Sequence, residues 1–141
     1  LLFTSRLYEF LYHLCRSYSH QIPSASLTGS QRDLQRVTHV MNWVKVHYPE
    51  PLSLETAADS LALSKEYFCR LFKKYTGQTF LEYLNDVRTM HLYEDLQNSD
   101  ETITVLMEKN GLSNYKIFMR TFKKLYGSTP QKMRSNRIRH V

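Results

Sequence analysis

The chain has 141 residues, 42% of them apolar and 23% charged, with a formal net charge of +6. That size suits one ordinary domain with an extension, the balance is that of a soluble globular protein, and the positive excess favours an anionic partner. No run of about 18 apolar residues offers a membrane span, and the two cysteines, Cys15 and Cys69, make neither a C-x-x-C pair nor a disulfide framework, so a reducing, cytoplasmic setting is expected.

Leu7, Leu11, Leu14 and Tyr18 recur at three- and four-residue spacing and predict a helix over about residues 2–18. Tyr8, Tyr12 and Cys15 flank that stripe, so this helix packs either on its own domain or on a partner. The chain opens Leu1-Leu2-Phe3 without a methionine and is expected to be a fragment. Residues 23–30 are uncharged and rich in Ser, Pro, Gly and Thr, the composition of a linker. Ser30 with Asp33 then reads as an N-cap, and Leu34, Val37, Met41 and Val44 make the apolar face of a helix ending near His47, before Pro49 and Pro51.

Ser53 caps a short helix carrying Leu54, Ala57, Ala58 and Leu61, where the two alanines allow a second helix to cross closely. A turn at Leu61-Ala62-Leu63 leads to the cap Ser64 and to Tyr67-Phe68-Cys69-Arg70-Leu71-Phe72-Lys73-Lys74-Tyr75-Thr76-Gly77. Short helix, tight turn and second helix are the layout of a helix-turn-helix, here over about 53–77. Thr79 and Glu82 form a capping box for a longer helix over about 80–97, with Phe80, Tyr83, Leu84, Val87 and Leu96 inward.

The unit then restarts over about 102–127. Thr102 caps Ile103 to Lys109, Gly111 and Leu112 turn the chain, and Ser113 or Asn114 caps Ile117-Phe118-Met119-Arg120-Thr121-Phe122-Lys123-Lys124-Leu125-Tyr126-Gly127. This stretch repeats the first at a constant offset of 50, which falls to 49 upstream of the turn, so the second unit carries one extra residue, expected near Asn114 and Tyr115. Thr129 with Pro130 opens a last short helix to about Arg134, and residues 135–141 are expected to fray. The expected fold is all-α: two helix-turn-helix units joined by a long linker helix and preceded by an extra N-terminal helix.

In each copy two phenylalanines lie four apart and share one face, which is core. Lys65, Glu66, Cys69 and Arg70 in the first copy, and Tyr115, Lys116, Met119 and Arg120 in the second, are read as the opposite face, available to base edges in a major groove. Arginine suits guanine because its planar fork donates to O6 and N7 together. Ser64, Ser113 and Asn114, with the free N–H groups behind them, suit phosphate, as do Lys73, Lys74, Lys123 and Lys124. Glu108 is the last acidic residue; only cations follow it, from Lys109 to Arg139. The six histidines make no H-E-x-x-H, and there is no G-x-S-x-G, P-loop or dinucleotide fingerprint. Catalytic residues, metal ligands and cofactors are therefore not expected.

The segment from about Arg32 to Arg134 resembles the C-terminal DNA-binding domain of AraC/XylS-type transcription regulators. The resemblance rests on Pro51-Leu52-Ser53-Leu54, Ala57-Ala58, Leu63-Ser64, Phe72-Lys73-Lys74 with Gly77, and Tyr83-Leu84 with Arg88. It continues in Gly111, Phe118, Arg120, Phe122-Lys123-Lys124, Gly127, Thr129-Pro130 and Arg134. Met107 stands where that family favours alanine, Leu112 where it favours phenylalanine, and Leu92-Tyr93 where Ala and Lys are common. The resemblance implies a sequence-specific DNA-binding regulator whose Glu66, Cys69, Arg70, Lys116, Ile117 and Arg120 reach into the major groove. It also implies that residues 1–22 connect to a separate N-terminal sensing or dimerising domain, that residues 31–141 are the DNA-binding domain, and that RNA polymerase is a candidate second partner. The competing reading is a helical module that keeps this fold but binds a partner protein. Salt-dependent binding to heparin or random duplex DNA separates the two.

Overall fold

Among residues 28–139, which the computed structural model describes, the chain forms seven α-helices and no strand. They are α1 Gly29–His47, α2 Leu54–Ser60, α3 Lys65–Thr76, α4 Phe80–Asn98, α5 Ile103–Lys109, α6 Tyr115–Tyr126 and α7 Pro130–Arg139. The predicted helix over residues 2–18 and the first part of the 23–30 linker lie outside the described residues.

Local chemistry sets most of these boundaries. Ser53, Ser64, Thr79 and Thr102 each accept a hydrogen bond from the N–H three residues on, which satisfies a donor the first helical turn leaves open. Thr79 and Glu82 close the expected capping box, the Thr79 N–H donating to Glu82 Oε2 at 2.8 Å. Gly77 and Gly127 end α3 and α6 in the left-handed region, each N–H bonding back four residues.

Two boundaries differ from the sequence reading, and at a third the structure chooses between the two caps it offered. The N-cap of α1 is Thr28, not Ser30: the Gln31 side chain returns to the Thr28 N–H at 2.9 Å, so a capping box two residues earlier draws Gly29 and Ser30 into the first turn. The cap of α6 is Asn114, whose Oδ1 accepts from the Ile117 N–H at 3.0 Å. Ser64 and Asn114 therefore correspond at the offset of 50, Leu63 and Leu112 at 49, and the extra residue of the second unit is Ser113. Finally, α7 runs to Arg139 rather than stopping near Arg134.

Two cores form, one per unit. Val37, Val40 and Val44 of α1 close the first over Ala57, Ala58, Phe68 and Phe72, and Phe80, Leu84 and Val87 of α4 complete it. The second gathers Leu106, Met107, Leu112, Phe118 and Phe122 with Leu92 and Leu96 of α4. Phe68, Phe72 and Phe80 meet pairwise at 5.6–5.8 Å, and Phe118 meets Phe122 at 5.7 Å, close to edge-on. The departures Met107 and Leu112 are both buried together, joined by a Leu112 N–H to Met107 carbonyl bond of 2.8 Å. The first turn makes the equivalent bond, Leu63 N–H to Ala58 carbonyl.

The linker helix α4 thus serves both cores. Val87 and Leu96 are nine residues apart, about half a turn at 100° per residue. The apolar stripe rotates along the helix, and each unit packs on its own half and its own side. Leu92 is fully buried, beyond the inward set read from the sequence.

Candidate nucleic-acid interface

Each second helix of a unit buries its phenylalanines and turns its cations out. On α3, Glu66, Arg70, Lys73 and Lys74 are exposed; on α6, Lys116, Arg120, Lys123 and Lys124 are. Arg70 and Arg120 stand two residues from each buried phenylalanine, about 200° around the helix, which is why they face solvent. The two exposed stripes repeat at the same offset of 50 residues, so the units present equivalent surfaces.

Not every residue read as base-facing lies on these stripes. Met119 is half-buried and packs on the second core, and Ile117 is half-buried. Each is adjacent to Phe118, about 100° away, so both sit on the flank of α6 rather than opposite its core. Cys69, the counterpart of Met119, shares that flank but is small and exposed. Tyr115, half exposed at 54%, holds the first turn of α6 beside Lys116. Ser64, Ser113 and Asn114 are exposed at the helix starts, where free N–H groups favour an anion.

Two of the predicted cations are already engaged. Lys65 Nζ lies 2.7 Å from Glu55 Oε1, on the first helix of its own unit; the hydrogen bond from Lys65 holds the Glu55 carboxyl below its ordinary range. Lys124 Nζ lies 2.7 Å from Asp86 Oδ1 on α4, whose side chain is only 14% exposed. Burial pushes the Asp86 carboxyl up, and Lys124 opposes that shift. Lys124 is therefore tied across to the linker helix, while Lys73, Lys74 and Lys123 make no such ion pair among the described residues. In sequence, Glu55 and Asp86 carried no signal of these roles, since each depends on a helix crossing.

Acid is unevenly shared. The first unit sets Glu55, Asp59 and Glu66 among its cations, all exposed, whereas the second has Glu108 alone. Among the described residues no group of His, Cys, Asp or Glu could hold a metal ion, and no helix is long and apolar enough to cross a membrane.

Between the units, Arg88 of α4 donates from Nε to the Tyr48 carbonyl and from Nη2 to the Glu50 carbonyl, both at 2.7 Å. The Tyr48 carbonyl lies at the C-cap of α1, where backbone acceptors lack helical partners, and the Glu50 carbonyl lies in the loop beyond it, where it also accepts from the Leu52 N–H at 2.8 Å. Partial burial lowers the Arg88 pKa from its ordinary value. One turn further along α4, His91 stacks on Tyr48, centroids 4.0 Å apart and planes 3° from parallel. Gly111, in the turn of the second unit, has φ +75° and faces the same point.

Comparison with known proteins agrees with this geometry. A family model described as a helix-turn-helix domain matches residues 57–136. The chain is 31% identical over 111 residues to the HTH-type transcriptional activator RhaS of Escherichia fergusonii, covering 79% of this chain and 40% of RhaS. The curated relatives are longer, and the chain spans 14–40% of their length. Among solved structures it resembles a transcriptional regulator of the AraC-type DNA-binding-domain class from Chromobacterium violaceum, with 28% identity, a TM-score of 0.62, and 77% of this chain and 95% of that one covered. It also resembles the DNA-binding domain of the global transcriptional factor AdpA, solved in complex with a target DNA, with 25% identity, a TM-score of 0.64, and 72% and 91% covered.

Proposed function

This chain belongs to the AraC-type helix-turn-helix family of transcription regulators, and on that premise we propose that it reads double-stranded DNA by placing α3 and α6 in successive major-groove segments. The observation that carries the reading is the duplicated stripe: Arg70 and Arg120, each flanked by paired lysines, exposed on equivalent capped helices 50 residues apart. A helix of this kind supplies base contacts from its exposed second turn and phosphate contacts from its N-terminal N–H groups and cations. The linker helix supports it. Its 19 residues span roughly 28 Å at 1.5 Å per residue, which the turns at either end extend toward the roughly 34 Å between groove faces on one side of DNA.

In this reading Arg70 and Arg120 contact bases, together with Glu66, Cys69, Tyr115 and Lys116. Ile117 and Met119 brush the groove from the flank. Lys73, Lys74, Lys123, Ser64, Ser113 and Asn114 hold phosphates; Lys124 joins them only on leaving Asp86, and Lys65 turns to a base only on leaving Glu55. The same reading makes residues 1–22 the connector from a sensing or dimerising domain and RNA polymerase a second partner.

The test is selection of bound sites from a random duplex pool, repeated with Arg70→Ala and Arg120→Ala. Each variant is expected to lose about 1–3 kcal/mol on the selected site and to relax preference over a few base pairs, in two patches about one helical turn apart. An unchanged preference in both variants refutes the proposal.

A further inference from the structure

We infer that Arg88 and Gly111 form a joint that fixes how the two recognition helices are set relative to one another, and so selects the spacing between the two DNA patches they contact. The inference rests on the DNA-reading function proposed above.

Three chain segments converge at this point: the α1–α2 loop of the first unit, the linker helix, and the turn of the second unit. The guanidinium of Arg88 spans two carbonyls of that loop, Tyr48 and Glu50, at 2.7 Å each. A single donor could satisfy one carbonyl; the rigid fork of arginine orients both. Gly111 closes on the same spot from the other unit. A Cβ at Gly111 would stand 2.8 Å from the Pro49 carbonyl oxygen, 3.1 Å from Arg88 Nε and 3.1 Å from the Tyr48 carbonyl oxygen. The second unit therefore rests directly on the first unit's loop and on the arginine that orders it.

The repeat supplies an internal comparison. The residue equivalent to Gly111 in the first turn is Ala62, which holds φ 53° and is exposed. Left-handed backbone at this turn position thus admits a side chain. What excludes one at residue 111 is the close approach of the other unit. Without that contact the second unit would reach the first unit's half of α4 only through the surface pair of Lys124 with Asp86. With it, the Tyr48–His91 stack and the Arg88 bonds lock the first unit's loop to the middle of the linker, and Gly111 docks the second unit on that loop.

The experiment uses the 141-residue chain and the site selected from random DNA, with one or two base pairs inserted or deleted between the two contacted patches. Each base pair changes the separation by about 3.4 Å and also rotates one patch around the duplex. The wild-type chain is expected to bind the altered sites at least about tenfold more weakly. Arg88→Ala and Gly111→Ala are expected to shrink that ratio to about threefold or less, with base preference within each patch unchanged; Arg88→Lys, which lacks the fork, should fall between. His91→Ala, which removes the stack and leaves the Arg88 bonds, is a milder variant that reads the same ratio if either of the first two fails to fold. Variants that fold and keep the wild-type ratio overturn the joint alone. A wild-type chain indifferent to spacing overturns the joint and the two-helix reading together.

Discussion

Gly111→Ala isolates the contact between the two units as a stability. Its cost has two parts. A non-glycine residue at φ +75° carries a backbone penalty of about 1–2 kcal/mol. The new methyl also meets a backbone oxygen at 2.8 Å, and a carbonyl cannot swing aside as a long side chain can; forcing such a contact typically costs about 1–3 kcal/mol. The lower entropy of the unfolded alanine chain returns about 0.4–1 kcal/mol. The expected net loss is about 1–4.5 kcal/mol, centred near 3. Gly77→Ala is the matched control, because Gly77 has φ +76° and nothing within 4 Å of its absent Cβ. It should lose only the backbone part, about 1 kcal/mol after the same correction. Urea unfolding followed by far-UV circular dichroism gives both losses as midpoint shifts at constant slope. Equal losses for the two variants would refute the reasoning, since the unit–unit approach would then be soft enough to open for a methyl group.

The Lys124–Asp86 pair gives a pH-dependent expectation. Asp86 has its folded pKa raised above the unfolded value by burial, with Lys124 drawing it back; the folded chain therefore holds that proton more tightly, and stability from this group falls as pH rises from the unfolded value through the folded one. Lys124→Met should deepen that fall, costing about 1–2 kcal/mol near neutral pH for a pair half in water. The loss should fade on acidification and largely vanish with Asp86→Asn alongside; urea midpoints from pH 4 to 8 check it, and a loss independent of pH counts against the pair. Binding to random duplex DNA should show a log–log salt slope near −5 if about six phosphates are contacted. Lys74→Ala and Lys123→Ala should each reduce that slope by about one, and Lys124→Ala by less, because Asp86 already neutralises it; anisotropy titrations over a range of salt read this directly. Ala62→Gly should stabilise the first turn by up to about 1 kcal/mol by releasing its positive φ, measured by the same unfolding assay.

What the sequence alone determined is what interactions within about four residues determine. Caps such as Ser53, Ser64 and Thr79 bond to the third residue on, terminal glycines relieve the left-handed turn, and phenylalanines four apart share a face. Within residues 28–139 the helices, turns, the duplication and the outward arginines were legible for that reason. The structure differs where two local solutions compete, as at Thr28 against Ser30, and it sets Met119 on the flank of α6, packed on the second core, rather than opposite it. Tertiary structure alone decided the rest. Lys124 meets Asp86 across 38 residues, Arg88 reaches Tyr48 across 40, and Gly111 comes to rest on Pro49. No spacing along the chain encodes these meetings. They depend on the angle at which each unit crosses α4, and that angle follows from how the two cores fill on opposite sides of one rotating apolar stripe.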